Sequence, residues 1–230
     1  MVSLKRNTKY QESFKFPFLG YAGYAITKIF YSLKRLSFFL DKFETLALKN
    51  DINKLKIDRP IYITGLARSG TTILLEMLSK HPDIATHHYK HLLIPYIPHS
   101  FSIMAELTNI YTKPFERLHR DGIIVNRDSP EAVEERFWEQ FFPNIHDESR
   151  SNLISENDSN PEFERFYKNH ILKLIFNQKN SRYLAKNNYN ITRLKYILRI
   201  FPDSKFLVII RNPIDQIASL IKQTEIFIKM

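Results

Sequence analysis

Cysteine is absent from this 230-residue chain, so disulfide staples and thiolate metal sites are excluded and no redox compartment can be inferred. Glycine is scarce, with 5 residues, so a glycine beside a helix start calls for a reason. Long hydrophobic runs are missing too. The most apolar stretch, Phe16 to Leu40, is interrupted by Lys28, Lys34 and Arg35. Its longest uncharged part, Phe16 to Thr27, falls well short of the roughly 20 residues that span a bilayer. No small-residue cleavage site follows a compact apolar run, so a secretory signal is not expected. Acidic residues are outnumbered, 24 against 34 Lys and Arg, for a net charge of +10. With 43% hydrophobic and 25% charged residues, the chain is neither disordered nor collagen-like. Its length suits one large domain or two small ones, with about 70% of the unfolded surface buried.

The positive charge is concentrated. Residues 1–60 hold 12 Lys and Arg against 5 Asp and Glu, a surplus of +7 out of the +10. Such a start can meet phosphates, acidic polymers or an anionic membrane surface, or serve as a solvated face. No recognition motif for nucleic acid accompanies it. Apolar positions recur at three and four over residues 22–50, with no proline between Pro17 and Pro60, which predicts helix. Residues 1–57 therefore read as a basic helical extension, lying on a membrane or packed on the main domain. The expected location is cytoplasmic, with membrane association left open.

Beyond the extension, strand-like and helix-like runs alternate. Ile61–Thr64 is apolar, β-rich and too short for a helix; Thr71–Lys80 is helical and stops at His81-Pro82-Asp83. The middle, about 84–180, reads as mostly helical with long connections. Ser129-Pro130 looks like an N-cap followed by proline in the first turn, and Asp147 to Pro161 like a polar exposed loop. Strand signals return at Arg182–Ala185 and Lys205–Ile210, helix signals at Ile191–Phe201 and Ile214–Lys222. This order predicts an α/β fold: a P-loop-like parallel sheet flanked by helices over 58–230, with a helical mid-chain insertion.

The chemistry concentrates in Gly65-Leu66-Ala67-Arg68-Ser69-Gly70-Thr71-Thr72, between strand and helix. The glycines let the backbone turn its N–H groups inward, and the helix adds unpaired N–H groups and the positive end of its dipole. Arg68 contributes a fork of donors; Ser69, Thr71 and Thr72 contribute hydroxyls. The result is an anion site suited to phosphate. Gly65 and Gly70 have P-loop spacing, but Thr71 stands where the triphosphate-binding lysine belongs, which argues against a kinase or ATPase.

Arg68-Ser69-Gly70-Thr71-Thr72 resembles the 5′-phosphosulfate loop of the sulfotransferases, which use 3′-phosphoadenosine-5′-phosphosulfate (PAPS), in its bacterial and tyrosylprotein-type form. A second element agrees. Lys205–Ile210 leads into Arg211, with Ser219 eight positions on, as in the family's 3′-phosphate element, and Arg211-Asn212-Pro213 is similar to its usual Arg-Asp-Pro. The resemblance covers roughly residues 58–225. It implies PAPS as co-substrate, no metal, and transfer to a hydroxyl of a carbohydrate, lipid or other small acceptor. It implies cofactor contacts from Arg68, Ser69, Gly70, Thr71, Thr72, Arg211 and Ser219, and from Lys186 near the sulfate. It also implies more chain beyond the 3′-phosphate element than the few residues before Met230, so the sequence reads as truncated or compact.

Where relatives place a base, this chain has Ala85-Thr86-His87-His88-Tyr89-Lys90-His91. Histidine titrates near neutral pH. His87 is the first candidate and His88 the second, with Arg68 beside the transferring group. Glu134 and Glu135 are further carboxylates, on a predicted helix whose aromatic side faces the core. Asp121, Asp128 and His119 are candidate acceptor contacts. Two other readings stay open: a divergent P-loop kinase or nucleotide-binding protein, and a non-enzymatic membrane-surface protein.

Overall fold

Pro60 breaks the preceding helical pattern and the chain enters β1 (Ile61–Gly65), a strand almost wholly buried. The computed structural model describes residues 34–108, 113–117 and 120–228. The part of the predicted helix before Lys34 and the candidate His119 lie outside the described residues. Before β1 come α1 (Lys34–Ala47) and the short α2 (Lys49–Ile52). After it come α3 (Thr71–Leu78), β2 (Ile84–Thr86), α4 (Pro98–Leu107), β3 (Phe115–Glu116) and β4 (Ile124–Val125). Then follow α5 (Glu135–Phe141), α6 (Pro161–Gln178), β5 (Arg182–Lys186), α7 (Leu194–Ile200), β6 (Lys205–Ile209) and α8 (Pro213–Ile228).

The main sheet is four-stranded in the order β2-β5-β1-β6, and each pairing is parallel. Parallel neighbours need crossover connections, which is why helices separate these strands in sequence. Alternation along each strand sends side chains to two faces. Tyr62, Tyr183 and Ala185 join a large core with the aromatics of α5, α6 and α7, among them Trp138, Phe163, Tyr167 and Tyr196. Ile63, Leu184 and Ile84 face the other way and close over Leu75 of α3. In the larger core Trp138 and Phe163 lie 4.4 Å apart between centroids, and Phe137 sits edge-on to Phe166 at 5.1 Å. About half of the sequence's aromatic residues sit in or against this core.

α6 begins as its sequence dictates. Pro161 stands in its first turn, and the Asn160 side chain accepts from the Phe163 backbone N–H at 3.0 Å. Lys173 of α6 is fully buried and donates to Asp41 of α1 at 2.7 Å, with Glu44 of α1 at 3.1 Å. An ion pair this deep is costly to break one partner at a time, so it fixes α1 on the body.

Two expectations for the middle of the chain need correction. Ser129 and Pro130 do not start a helix: Pro130 forms a β-bridge with His88, and α5 begins only at Glu135. The backbone there is committed elsewhere, with Tyr89 N–H donating to Ser129 O and Glu131 N–H to His87 O, each at 2.9 Å. Nor is the middle mostly helical. Besides α4, α5 and α6, its described residues hold the antiparallel pair β3–β4 and long irregular stretches. The polar stretch after Asp147 lacks regular structure as expected, although Ile154 is buried and joins the core.

Candidate functional site

The C-terminal ends of β1, β5 and β6 lie side by side, which is where open parallel sheets place ligands. From β1 the chain turns sharply at Gly65. A Cβ there would stand 2.6 Å from the Ile209 carbonyl oxygen, so no other residue lets β1 and β6 end so close together. The loop then passes through Arg68, at φ +66°, into Gly70, at φ +101°, which N-caps α3 without a side-chain cap. A left-handed arginine is strained and persists because its surroundings hold it. The first-turn N–H groups of α3, which no helical carbonyl can accept, are left facing the loop. Ser69 is buried and its Oγ has no hydrogen-bond partner.

α8 grips this loop from the other side. Gln216 Nε2 donates to Ala67 O at 2.8 Å, and Arg211 Nη1 donates to Arg68 O at 3.0 Å. The Arg68 guanidinium, folded inward, donates from Nε to Ser219 Oγ at 3.0 Å and from Nη1 to Asp121 Oδ2 at 2.8 Å. Arg117 takes hold of the same carboxylate, from Nε at 2.8 Å and through a second bond from Nη2. These bonds, Arg117's foremost, hold the Asp121 carboxyl well below the usual carboxylate range.

A cavity of ≈ 240 Å³ opens over the loop. Among the described residues four cations line it, Arg68, Arg117, Lys186 and Arg211, against a single carboxylate, Asp121. Burial lowers the pKa of Lys186. Guanidinium forks, hydroxyls and helix N–H groups around a small concavity suit a tetrahedral oxyanion.

The structure therefore brings together Arg68, Gly70, Thr71, Thr72, Lys186 and Arg211 on one cavity, with Ser69 beneath the loop and Ser219 bonded to Arg68. It does not bring the histidines there. His87 is buried among Phe137, His91, His170 and Tyr183, with its Nε2 3.1 Å from His170 Nε2. Burial pushes its pKa down to about 3. His88 stacks on His91, and burial takes its pKa to about 4. Neither ring lines the cavity. The reason is the bridge to Pro130, which fixes the backbone after β2 against the 127–131 segment.

Glu134 and Glu135 do not line the cavity either. Glu134 is 1% exposed and accepts from Tyr167 and Tyr183 hydroxyls at 2.5 and 2.6 Å; burial raises its pKa to about 7. Glu135 forms a two-bond pair with buried Arg193, at 2.8 and 2.7 Å. Asp128 holds Lys90 at 2.9 Å rather than the cavity. Sequence reasoning missed Arg117 and Gln216. Arg117 belongs to no motif, and Gln216 shows only as a polar position one turn into α8.

A model of the sulfotransferase family matches residues 60–227. Among solved structures, the chain is similar to sulfotransferase STF9 from Mycobacterium avium, at 15% identity and TM-score 0.53, over 80% of this chain and 51% of that one. It is also similar to sulfotransferase STF1 from Mycobacterium tuberculosis H37Rv, at 17% identity and TM-score 0.48, over 80% of this chain and 54% of that one. The chain thus spans about half the length of each. No curated protein matches it.

Proposed function

Because this chain belongs to the sulfotransferase family, we propose that its cavity binds the anionic end of PAPS and that the protein moves the sulfuryl group to a hydroxyl of a carbohydrate, lipid or other small acceptor. One observation carries the reading: Arg68, Ser219 and Arg211, drawn from two distant stretches of sequence, meet through direct hydrogen bonds at one loop. The residues fit such a ligand. Ser69 Oγ is an unpartnered buried hydroxyl under the loop, and the lining is cationic. At ≈ 240 Å³ the cavity is smaller than the roughly 300–1,000 Å³ of whole-ligand pockets. It suits the charged end of a nucleotide, with the adenosine and acceptor lying over its mouth.

The donor, when bound, would supply the sulfuryl group: the acceptor oxygen forms the new S–O bond, the bond to the 5′-phosphate breaks, and the hydroxyl proton passes to water at the cavity mouth. The chain's own residues do the rest. The N–H groups opening α3 and the Arg68 fork hold the charge that builds on the departing phosphate. Lys186, on the end of β5, faces the same cavity and offers a second cation to the transferring group. Arg211, at the end of β6, reaches the loop from the side and is the group for a 3′-phosphate. Asp121 is the sole carboxylate on the described lining, and two arginines depress its basicity. It therefore serves to hold the forks in place rather than to take the acceptor proton.

The missing P-loop lysine counts against the nucleoside-triphosphate alternative. The test is a thermal shift, since a ligand that binds only the native state stabilises it. Adenosine 3′,5′-bisphosphate should raise the melting temperature, ATP–Mg²⁺ should not, and transfer of labelled sulfate from PAPS should be detected with a panel of hydroxyl acceptors. In Arg211→Ala the preference for the 3′,5′-bisphosphate over adenosine 5′-monophosphate should fall about tenfold. An ATP–Mg²⁺ shift without a bisphosphate shift would overturn the reading.

A further inference from the structure

Helix α1 has an unusual inward face for a surface helix. Phe38 packs edge-on to Phe141 at 4.9 Å, but beside it Ser37, Asp41 and Glu44 are buried, and the two carboxylates close on Lys173 at 2.7 and 3.1 Å. Its outward face is apolar. Leu36, Phe39, Phe43 and Leu46 are 37%, 64%, 66% and 69% exposed. They are spaced by three, four and three residues, so they form one stripe along the helix. The ion pairs with Lys173 orient the helix, so the stripe cannot roll inward without leaving a buried lysine uncompensated.

Charge distinguishes this face from a plain apolar patch. Exposed Arg35 and Lys42 follow one border of the stripe, and exposed Lys49 continues that border in α2. The acidic residues of α1, Asp41 and Glu44, are turned inward. Upstream, residues 1–33 add five Lys and Arg against one Glu, interleaved with eight Phe and Tyr. Apolar and aromatic side chains on one face with cations along the edge match the boundary of an anionic bilayer, where rings enter the acyl region and ammonium and guanidinium groups meet lipid phosphates. No described helix is long and apolar enough to cross a membrane, so contact by α1 would be in the plane of the surface.

We propose that the exposed face of α1, Leu36-Phe39-Phe43-Leu46 bordered by Arg35, Lys42 and Lys49, docks the protein on an anionic lipid surface. The proposal is independent of the sulfotransferase reading, because α1 lies outside the cavity lining.

Cosedimentation of the full chain with vesicles tests it. The chain should bind vesicles of phosphatidylcholine mixed with phosphatidylglycerol, should bind phosphatidylcholine alone far less, and should come off as salt is raised. The double variant Phe39→Ser/Phe43→Ser should lose about a hundredfold in vesicle partitioning. Its melting temperature and its thermal shift with adenosine 3′,5′-bisphosphate should match those of the unaltered chain. Lys42→Glu should weaken binding to anionic vesicles and leave the small binding to neutral ones unchanged. Three results would overturn the proposal. The first is equal vesicle binding by the double variant and the parent, which would credit residues 1–33 alone. The second is a dimer seen by light scattering that the double variant abolishes without any vesicle binding, which would make a second copy the occupant. The third is a lowered melting temperature in the double variant with no vesicle binding, which would mean the stripe is covered by this chain itself.

Discussion

Two polar clusters flank the sheet, and they differ in access rather than in chemistry. At the strand ends, Arg68, Arg117, Lys186, Arg211 and Asp121 surround an open cavity, with Arg68 and Arg117 both paired to Asp121. Behind the sheet, His87, His170, His91 and Glu134 lie among aromatic rings, nearly or completely sealed from water. The sealed groups are satisfied only in part: His87 and His170 meet through their Nε2 atoms and Glu134 accepts from Tyr167 and Tyr183, while Nδ1 of both histidines and Glu134 Oε2 find no partner among the described residues. Burial lowers the histidine pKa values and raises that of Glu134 to about 7. Side chains that suit acid–base catalysis by type are here sealed away from the cavity. The cations that the sequence marks, Arg68, Lys186 and Arg211, line it together with Arg117.

Substitutions can break this contrast. The largest effect is expected behind the sheet: His87→Ala should cost about 3 kcal/mol of stability through the cavity it leaves. Nucleotide affinity should stay within about twofold. Chemical unfolding and bisphosphate titration read the two quantities separately, and a collapse of transfer rate at unchanged stability would return His87 to the active site. Next, Arg68→Ala should weaken adenosine 3′,5′-bisphosphate about a hundredfold, by loss of charge-assisted bonds. Calorimetric titration would show it, and near-normal affinity would move the anion site elsewhere.

A third test uses pH. A histidine whose folded pKa is lowered loses stabilisation as pH falls through its unfolded value near 6.5, because the unfolded chain takes up the proton first. Glu134 acts oppositely. Its folded pKa is raised from 4.5 to about 7, so the stability it lends is present at low pH and lost as pH rises between those values. The wild type should therefore unfold more easily below pH 6.5, with Glu134 softening the decline. Glu134→Gln should steepen it by about 1.4 kcal/mol per pH unit between 4.5 and 6.5. Urea midpoints measured across that range decide the matter, and parallel curves for the two proteins would show that Glu134 stays ionised throughout. The smallest effect is expected at Asp121→Asn. Removing the one carboxylate among four cations should tighten bisphosphate binding several-fold, with a thermal shift enlarged to match.

What could be read beforehand follows from how local each feature is. The strands at Ile61, Arg182 and Lys205 announce themselves by short β-branched and aromatic runs bounded by punctuation, and the structure ends each within a residue or so of that reading. Gly65, Arg68 and Gly70 are legible because a left-handed turn before a helix admits few sequences. Arg211 and Ser219 are implied by the resemblance to the family's 3′-phosphate element, whose Arg and Ser stand the same eight positions apart. Arg117 and Gln216 are not legible, since their placement depends on how distant segments lie against the loop. The Ser129-Pro130 signal fails for the same reason. A local capping pattern lost to backbone pairing with the 87–90 segment, which no window along the chain contains. The burial of His87 and Glu134 is not legible either, because residue type reports reactivity in water, and neither residue is in water.

β6 has a consequence for how the molecule behaves in company. It is the outermost strand of the sheet, and a run that reads as interior, Leu207, Val208 and then Ile210, is 36%, 44% and 89% exposed. Ile214, Ile217 and Ile221 of α8 extend the greasy surface alongside it. Among the described residues no strand pairs with the outer side of β6, so an extended polypeptide can add to its amides and carbonyls there. The same strand delivers Arg211 to the loop after β1, so an addition at that edge would bear on the mouth of the cavity.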